Sequence, residues 1–318
     1  MGGWSALFGQ AFGPFYASQD PQGSSSGSAI AASLGFASIC LGGETCGSIL
    51  YPAQRNSVVG LKPTVGLTSR AGTIPLNPEQ DSIGPLSLWV KDVAIVLAAI
   101  AGKDENDKAT ADIPFDTLPD YPSACTTSGL NGMRIAVPRS VYKAADSDPE
   151  VSLAFRNAVK KIQSLGATVI DDIDFETWRP SAGLRDDLYA YESFFRNLAV
   201  NPHDIQNISD LIEFTKAIEQ ERYNTLGAKW FENARDAPGT SKSERFLEVK
   251  RKMEQYGEDV VKLLDQSQCD VLLATSSTDL PLDLGGLPGI SVPLGFYSNN
   301  RTVVRNAKGH VIKAPNIP

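Results

Sequence analysis

Gly42-Gly43-Glu44-Thr45-Cys46-Gly47-Ser48-Ile49, with Gly23-Ser24-Ser25-Ser26-Gly27-Ser28-Ala29 shortly before it, is the stretch on which the reading of this chain turns. Glycine and serine give up side-chain packing and cost backbone entropy, so such density suits a place where main-chain amides must lie close to a reacting group. Ser24 and Ser48 are therefore the candidate functional hydroxyls. Between them, Ser28 to Leu34 has the small, apolar character of a buried helix, with Ser24 to Ser26 as caps at its start. The N-terminus of that helix is expected to point its amides at the Ser48 loop. Ala37 to Leu41 reads as a short buried strand that delivers Gly42 to Ser48, and Pro52 suits the first turn of a helix or a loop.

Outward from this centre, Val58 to Leu61 is a strand ended by Lys62-Pro63, because the residue before proline avoids helical dihedrals. Val90 to Ile100 is a helix closed by Gly102. Met133 to Val137 and Thr168 to Ile173 are strands on either side of a helix marked by Val151, Phe155, Val159 and Ile162. This alternation predicts an α/β fold, a mixed and largely parallel sheet flanked by helices, in one domain over residues 1–318. Residues 175–268 read as a helical section able to cover a site, its clearest apolar stripe being Phe246, Val249, Met253, Tyr256, Val260 and Leu264. Tyr189, Tyr191, Phe194 and Phe195 within it either line a pocket or pack as ordinary core. Asp270 to Ala274 and Ile290 to Leu294 are further strands. Thr302 to Val304 and His310 to Ile312 form a hairpin around Asn306-Ala307-Lys308-Gly309.

Composition bounds the function. At 318 residues, with 42% hydrophobic and 21% charged residues, the chain reads as globular. A net charge of -8 and a pI near 4.9 argue against nucleic acid, which needs a clustered basic surface. No leader pattern or run of about eighteen apolar residues appears, so neither membrane nor secretion is expected, and the cytoplasm is the expected compartment. Cys40, Cys46, Cys125 and Cys269 lack paired spacing and read as reduced thiols. The sequons at Asn207 and Asn300 carry little weight without a secretory signal. No metal-ligand spacing and no cofactor motif is present, so metal and cofactor are both expected to be none.

The plainer readings are a helix cap for Ser24 to Ser28 and a turn residue for Ser48. Gly23-Ser24-Ser25-Ser26-Gly27 also fits the Gly-x-Ser-x-Gly elbow, but the preceding Ala17-Ser18-Gln19-Asp20-Pro21-Gln22 is too polar for the buried strand that elbow requires. His203 and His310 read as surface residues. Cys46 has no histidine partner nearby in sequence and reads as an oxidation-sensitive neighbour of Ser48.

Taken together, these segments resemble the amidase signature family. Gly23-Ser24-Ser25 stands on its Gly-Ser-Ser segment and Glu44-Thr45-Cys46-Gly47-Ser48-Ile49 on its acidic-Thr-X-Gly-Ser-Ile loop. Val59-Gly60-Leu61-Lys62-Pro63-Thr64, Asp81-Ser82-Ile83-Gly84-Pro85 and Leu287-Pro288-Gly289-Ile290-Ser291 continue the likeness. Gly66-Leu67-Thr68-Ser69-Arg70 and Leu118-Pro119-Asp120-Tyr121 look most like the fungal branch, which suggests a role in specialised metabolism. The resemblance implies hydrolysis of a small-molecule amide, with Ser48 as nucleophile and Ser24 as bridging serine held by a cis peptide. Backbone amides of Thr45, Cys46, Gly47 and Ser48 would form the oxyanion hole, and a lysine would be the base.

That lysine precedes the bridging serine in the family, whereas the first lysine here is Lys62. Lys62 and Lys91 fall in segments to which the family assigns other work. The chain also ends at Pro315-Asn316-Ile317-Pro318, where the family continues. The resemblance thus implies a domain truncated at both ends, and it leaves a rival: an inactive remnant that binds a ligand or a partner.

Overall fold

The computed structural model describes residues 2–175, 188–236, 244–276 and 285–318. A small antiparallel hairpin, β1 (Trp4–Ser5) and β2 (Gly9–Gln10), opens the chain. An irregular stretch then leads into α1 (Ser26–Ser33), whose Ala29 and Ala32 are buried. This helix closes in a Schellman turn. Gly35 takes φ +70°, its N–H reaches the Ala32 carbonyl and the Phe36 N–H reaches that of Ala31. β3 (Ile39–Glu44) follows directly. Its alternate residues Cys40 and Gly42 face α1, Gly42 so closely that a Cβ there would lie 2.6 Å from Ser25 Oγ.

Next come α2 (Leu50–Arg55) and β4 (Val59–Lys62). Pro52 occupies the first turn of α2, where an N–H would have no intrahelical acceptor. β5 (Ser82–Ser87) then inserts between β3 and β4, antiparallel to both. α3 (Val90–Ile100) packs on β5 through Val93, Val96 and Leu97. Beyond a 3-10 turn (Lys108–Asp112) lies α4 (Tyr121–Ala124).

A second sheet, with its own helices, begins with β6 (Arg134–Ala136), α5 (Arg139–Ala145), α6 (Pro149–Ser164) and β7 (Thr168–Ile170). Asp148 caps α6 by accepting from Glu150 N–H, and Pro149 supplies a first helical residue with preset φ. Phe155 and Val159 of α6 bury against Val137 and Val141. The helical section comprises α7 (Leu188–Arg196), α8 (Ile208–Ala217), α9 (Tyr223–Leu226), α10 (Lys229–Asp236) and α11 (Glu244–Ser267). A capping box of Asn207 and Asp210 starts α8. The expected section over 175–268 is mostly helical where described, with an irregular connection over 197–207, although 176–187 and 237–243 lie outside the described residues, as do the side chains of Tyr189, Phe246 and Val249. Tyr191 and Phe195 pack as core, with Ile208, Ile212 and Ala234.

β8 (Val271–Leu272) joins β6 and β7 in a three-stranded parallel sheet of order β7-β6-β8. β9 (Gly289–Ser291) returns to pair antiparallel with β4. The hairpin of β10 (Val304–Arg305) and β11 (Val311–Lys313) turns at Asn306 to Gly309, as the sequence predicts. Val311 is fully buried and bonds through its main chain to Ser18 and Asp20. Lys313 and Arg301 both reach Asp148 at 2.6 Å, while Tyr297 Oη donates to it at 3.2 Å. Among the described residues no helix is long and apolar enough to cross a membrane.

One expectation needs correction. The sheet is not largely parallel: the larger one, β3-β5-β4-β9, is antiparallel at every pairing, and only the three-stranded sheet is parallel. β3 and β4 do run in the same direction, as a strand-helix-strand unit requires. The slot between them is filled by β5, whose Gly84-Pro85 pair disguises it as a turn.

Candidate active site

The Ser48 loop is held by the residue that precedes it. Glu44, at the end of β3 and 2% exposed, turns its carboxylate back so that Oε2 accepts from Ile49 N–H at 2.6 Å and Leu50 N–H at 2.8 Å. These are the first amides of α2, which the helix itself leaves unpaired. The loop from Thr45 to Ser48 is thereby closed at its base. Gly47 takes φ +79°, and a Cβ on it would sit 2.1 Å from the ring of Tyr51. The Tyr51 N–H in turn donates to the Gly47 carbonyl at 2.8 Å. Thr45 and Gly47 are buried; Cys46 and Ser48 are half-buried.

The Ser24 segment meets the same loop through its neighbour Ser25. The Gly23–Ser24 peptide is cis, as the resemblance implies. Ser24 itself is exposed, and its neighbour Ser25 donates its N–H to the Ser48 carbonyl at 3.1 Å. The start of α1 does therefore present an amide to the Ser48 loop. The expected side-chain capping is absent: Ser25 Oγ donates to the Gly43 carbonyl at 3.2 Å, Ser26 Oγ to the Gln22 carbonyl, and Ser28 Oγ to the Leu41 carbonyl at 2.7 Å. Two of these hydroxyls thus tie α1 to β3, fixing one serine segment against the strand that carries the other.

Thr45 Oγ1 donates to Asp81 Oδ1 at 2.5 Å. Asp81 Oδ2 accepts from the N–H groups of Leu76 and Asn77 at 2.8 and 2.9 Å. Burial pushes the Asp81 carboxyl up, and the hydrogen bonds from Thr45, Leu76 and Asn77 only partly offset this. Nearby, Arg70 forms a fork with Asp107, Nε to Oδ2 and Nη2 to Oδ1, each 2.8 Å. The guanidinium holds Asp107 down at about 2 against the opposing effect of burial. Neither Glu44 nor Asp81 stood out in the sequence except as a letter in a motif. The one local signal was an acidic residue five positions before an apolar helix start, which could have suggested a cap.

Lys62 is fully buried at the end of β4 and donates to the carbonyls of Leu287 at 2.8 Å and Pro63 at 3.4 Å; Lys91 is exposed on α3. His203 stacks on Phe214 and His310 meets the ring of Phe12 edge-on.

The family profile described as Amidase matches residues 2–309. The chain belongs to the amidase signature family. It is 38% identical to the "Putative amidase" of the fungus Arthroderma benhamiae, over 99% of this chain and 55% of that one. It is 34% identical to a probable amidase of Arabidopsis thaliana, over 93% of this chain and 58% of that one. Among solved structures, the native peptide amidase of Stenotrophomonas maltophilia superposes with a TM-score of 0.81 at 29% identity, covering 93% of this chain and 64% of that one. The chain thus spans a little over half to about two thirds of the length of these relatives, and over that span it has the amidase signature fold.

Proposed function

We propose that this amidase-family chain hydrolyses the carbon–nitrogen bond of a small or medium-sized amide, in fungal specialised metabolism. Ser48 Oγ attacks the carbonyl carbon and passes its proton to Ser24, which relays its own to a base. The oxyanion that forms accepts from the main-chain amides of Thr45, Cys46, Gly47 and Ser48. Collapse of the tetrahedral species expels the amine, which takes the proton back, and water then frees the acyl group from Ser48. The observation that carries this reading is the direct tie between the two serine segments, Ser25 N–H to the Ser48 carbonyl, beneath a loop closed by Glu44. The likeness to the Arthroderma benhamiae protein supports the fungal setting.

A second reading, a non-catalytic binding protein, is favoured by one observation. The family's base is a lysine, and Lys62, the lysine that follows the two serines in sequence, is buried with its ammonium on main-chain carbonyls. Fluorophosphonate labelling of the purified chain, mapped to a peptide, separates the two. Labelling at Ser48 that vanishes in Ser48→Ala, with the thermal midpoint unchanged, is the expected result. A folded chain that resists the reagent would overturn the hydrolase reading in favour of the second.

A further inference from the structure

We infer that Asp81 is the positioning residue of the Ser48 loop: it fixes Thr45, and through Thr45 the main-chain amides that follow, in the orientation that would receive a developing oxyanion. The inference rests on the hydrolase reading above, but the geometry behind it stands independently. The β3–β5 ladder pairs Glu44 with Ser82, so Asp81 lies beside that ladder's last rung, next to the first loop residue. The far end of the loop is secured by Glu44 on Ile49 and Leu50. At the near end, Thr45 Oγ1 donates to Asp81 Oδ1, and the acceptor is itself immobilised. Asp81 Oδ2 takes the Leu76 and Asn77 amides, and its own N–H donates to the Asn77 carbonyl at 2.8 Å. A carboxylate bound on both oxygens and at its main chain cannot follow a drifting partner, so Thr45 must stay where Asp81 holds it.

Asp81 also stands at a junction. Leu76, whose amide it binds, packs against the cluster of Tyr191, Ile208 and Ile212 in α7 and α8. The segment that packs on the helical section and the serine loop thus share one carboxylate, Oδ2 holding Leu76 and Oδ1 holding Thr45.

The test is a double-mutant cycle between Thr45→Val, which keeps size and main-chain N–H, and Asp81→Asn, with Thr45→Ser as the conservative variant. Three quantities are read on the full chain: the rate of fluorophosphonate labelling at Ser48, deuterium uptake of a peptide spanning residues 44–50, and the thermal midpoint. Each single variant is expected to slow labelling about tenfold, the equivalent of one hydrogen bond to a charged acceptor. The double variant should be no slower than the slower single, and Thr45→Ser, which keeps the hydroxyl that donates to Asp81, should recover most of the rate lost in Thr45→Val. Uptake in 44–50 should rise in both singles while α3 and α6 stay protected. Additive losses, or wild-type labelling and uptake in Thr45→Val, would overturn the assignment. Should the wild-type chain fail to label, the hydrolase reading falls, and the uptake measurement still decides the role of Asp81. If Asp81→Asn does not fold, the Thr45→Val and Thr45→Ser pair decides it.

Discussion

At Gly47 two constraints coincide, a φ of +79° that side-chain-bearing residues rarely adopt and a tyrosine ring where a Cβ would go. Gly47→Ala is expected to lower stability by about 1–3 kcal/mol in chemical unfolding. It should also slow labelling at Ser48, because relieving the clash moves the loop or the Tyr51 ring against it; a variant that labels normally would refute this. Glu44 is constrained differently. Replacing it with alanine leaves the Ile49 and Leu50 amides buried without an acceptor, at a cost of about 1–3 kcal/mol. The check is the urea midpoint of Glu44→Ala beside that of Ser48→Ala, which removes only a half-exposed hydroxyl and should shift it little. The serines were legible as letters, since so dense a run of small residues packs poorly and seldom serves a core. The residues that hold them were not, because the meaning of Glu44 and Asp81 depends on what lies across a sheet and not on what lies beside them in sequence.

Among the elements, α3 was readable to the residue from its apolar run and closing glycine, and α1, β3, β4 and β6 to within a few residues. β5 was not, although it is central. Pro85 sits opposite Leu41 and brings no N–H to the ladder, and Gly84 carries no propensity for a strand. Three dimensions account for the glycine: a Cβ on Gly84 would lie 1.9 Å from the Leu61 carbonyl oxygen, so β5 and β4 approach to backbone contact at that point. Gly84→Ala is therefore expected to push the two strands apart and to cost more than about 3 kcal/mol, or to prevent folding. Circular dichroism and the thermal midpoint of Gly84→Ala beside Gly72→Ala would show it, since Gly72 has nothing within 4 Å and its substitution meets only the strain of its φ of +76°. Near-equal midpoints would mean that β4 and β5 tolerate separation. The alternation of β6, α6 and β7 does give a parallel pair, but with β5 missed nothing in the sequence sets the larger, antiparallel sheet apart from it, and the parallel reading extends to both.

Across the whole molecule, one carboxylate joins distant parts of the chain. Burial alone would raise the pKa of Asp148, but Lys313, the Glu150 amide and Arg301 together hold it down at about 2, from an ordinary 3.8. A group whose pKa falls on folding stabilises the fold above its unfolded value and ceases to do so as the pH drops through its folded value. That contribution, about 2 kcal/mol, should be complete above about pH 5 and lost between about pH 4 and 2. Urea unfolding across that range should show the decline, and Asp148→Asn should flatten it while lowering stability at neutral pH; an unchanged acid profile in Asp148→Asn would contradict the assignment.

The larger sheet has a further property at this scale. Its strands come from residues 39–87 and then, after more than two hundred residues, from Gly289–Ser291. Everything from α3 to α11 is, to that sheet, an excursion that leaves from Ser87, opposite Ile39 at the start of β3, and comes back as β9 on the far edge, against β4. Such an architecture is modular: the excursion could be lengthened, shortened or reshaped while the strands that carry the Ser48 loop and its supports keep their pairing.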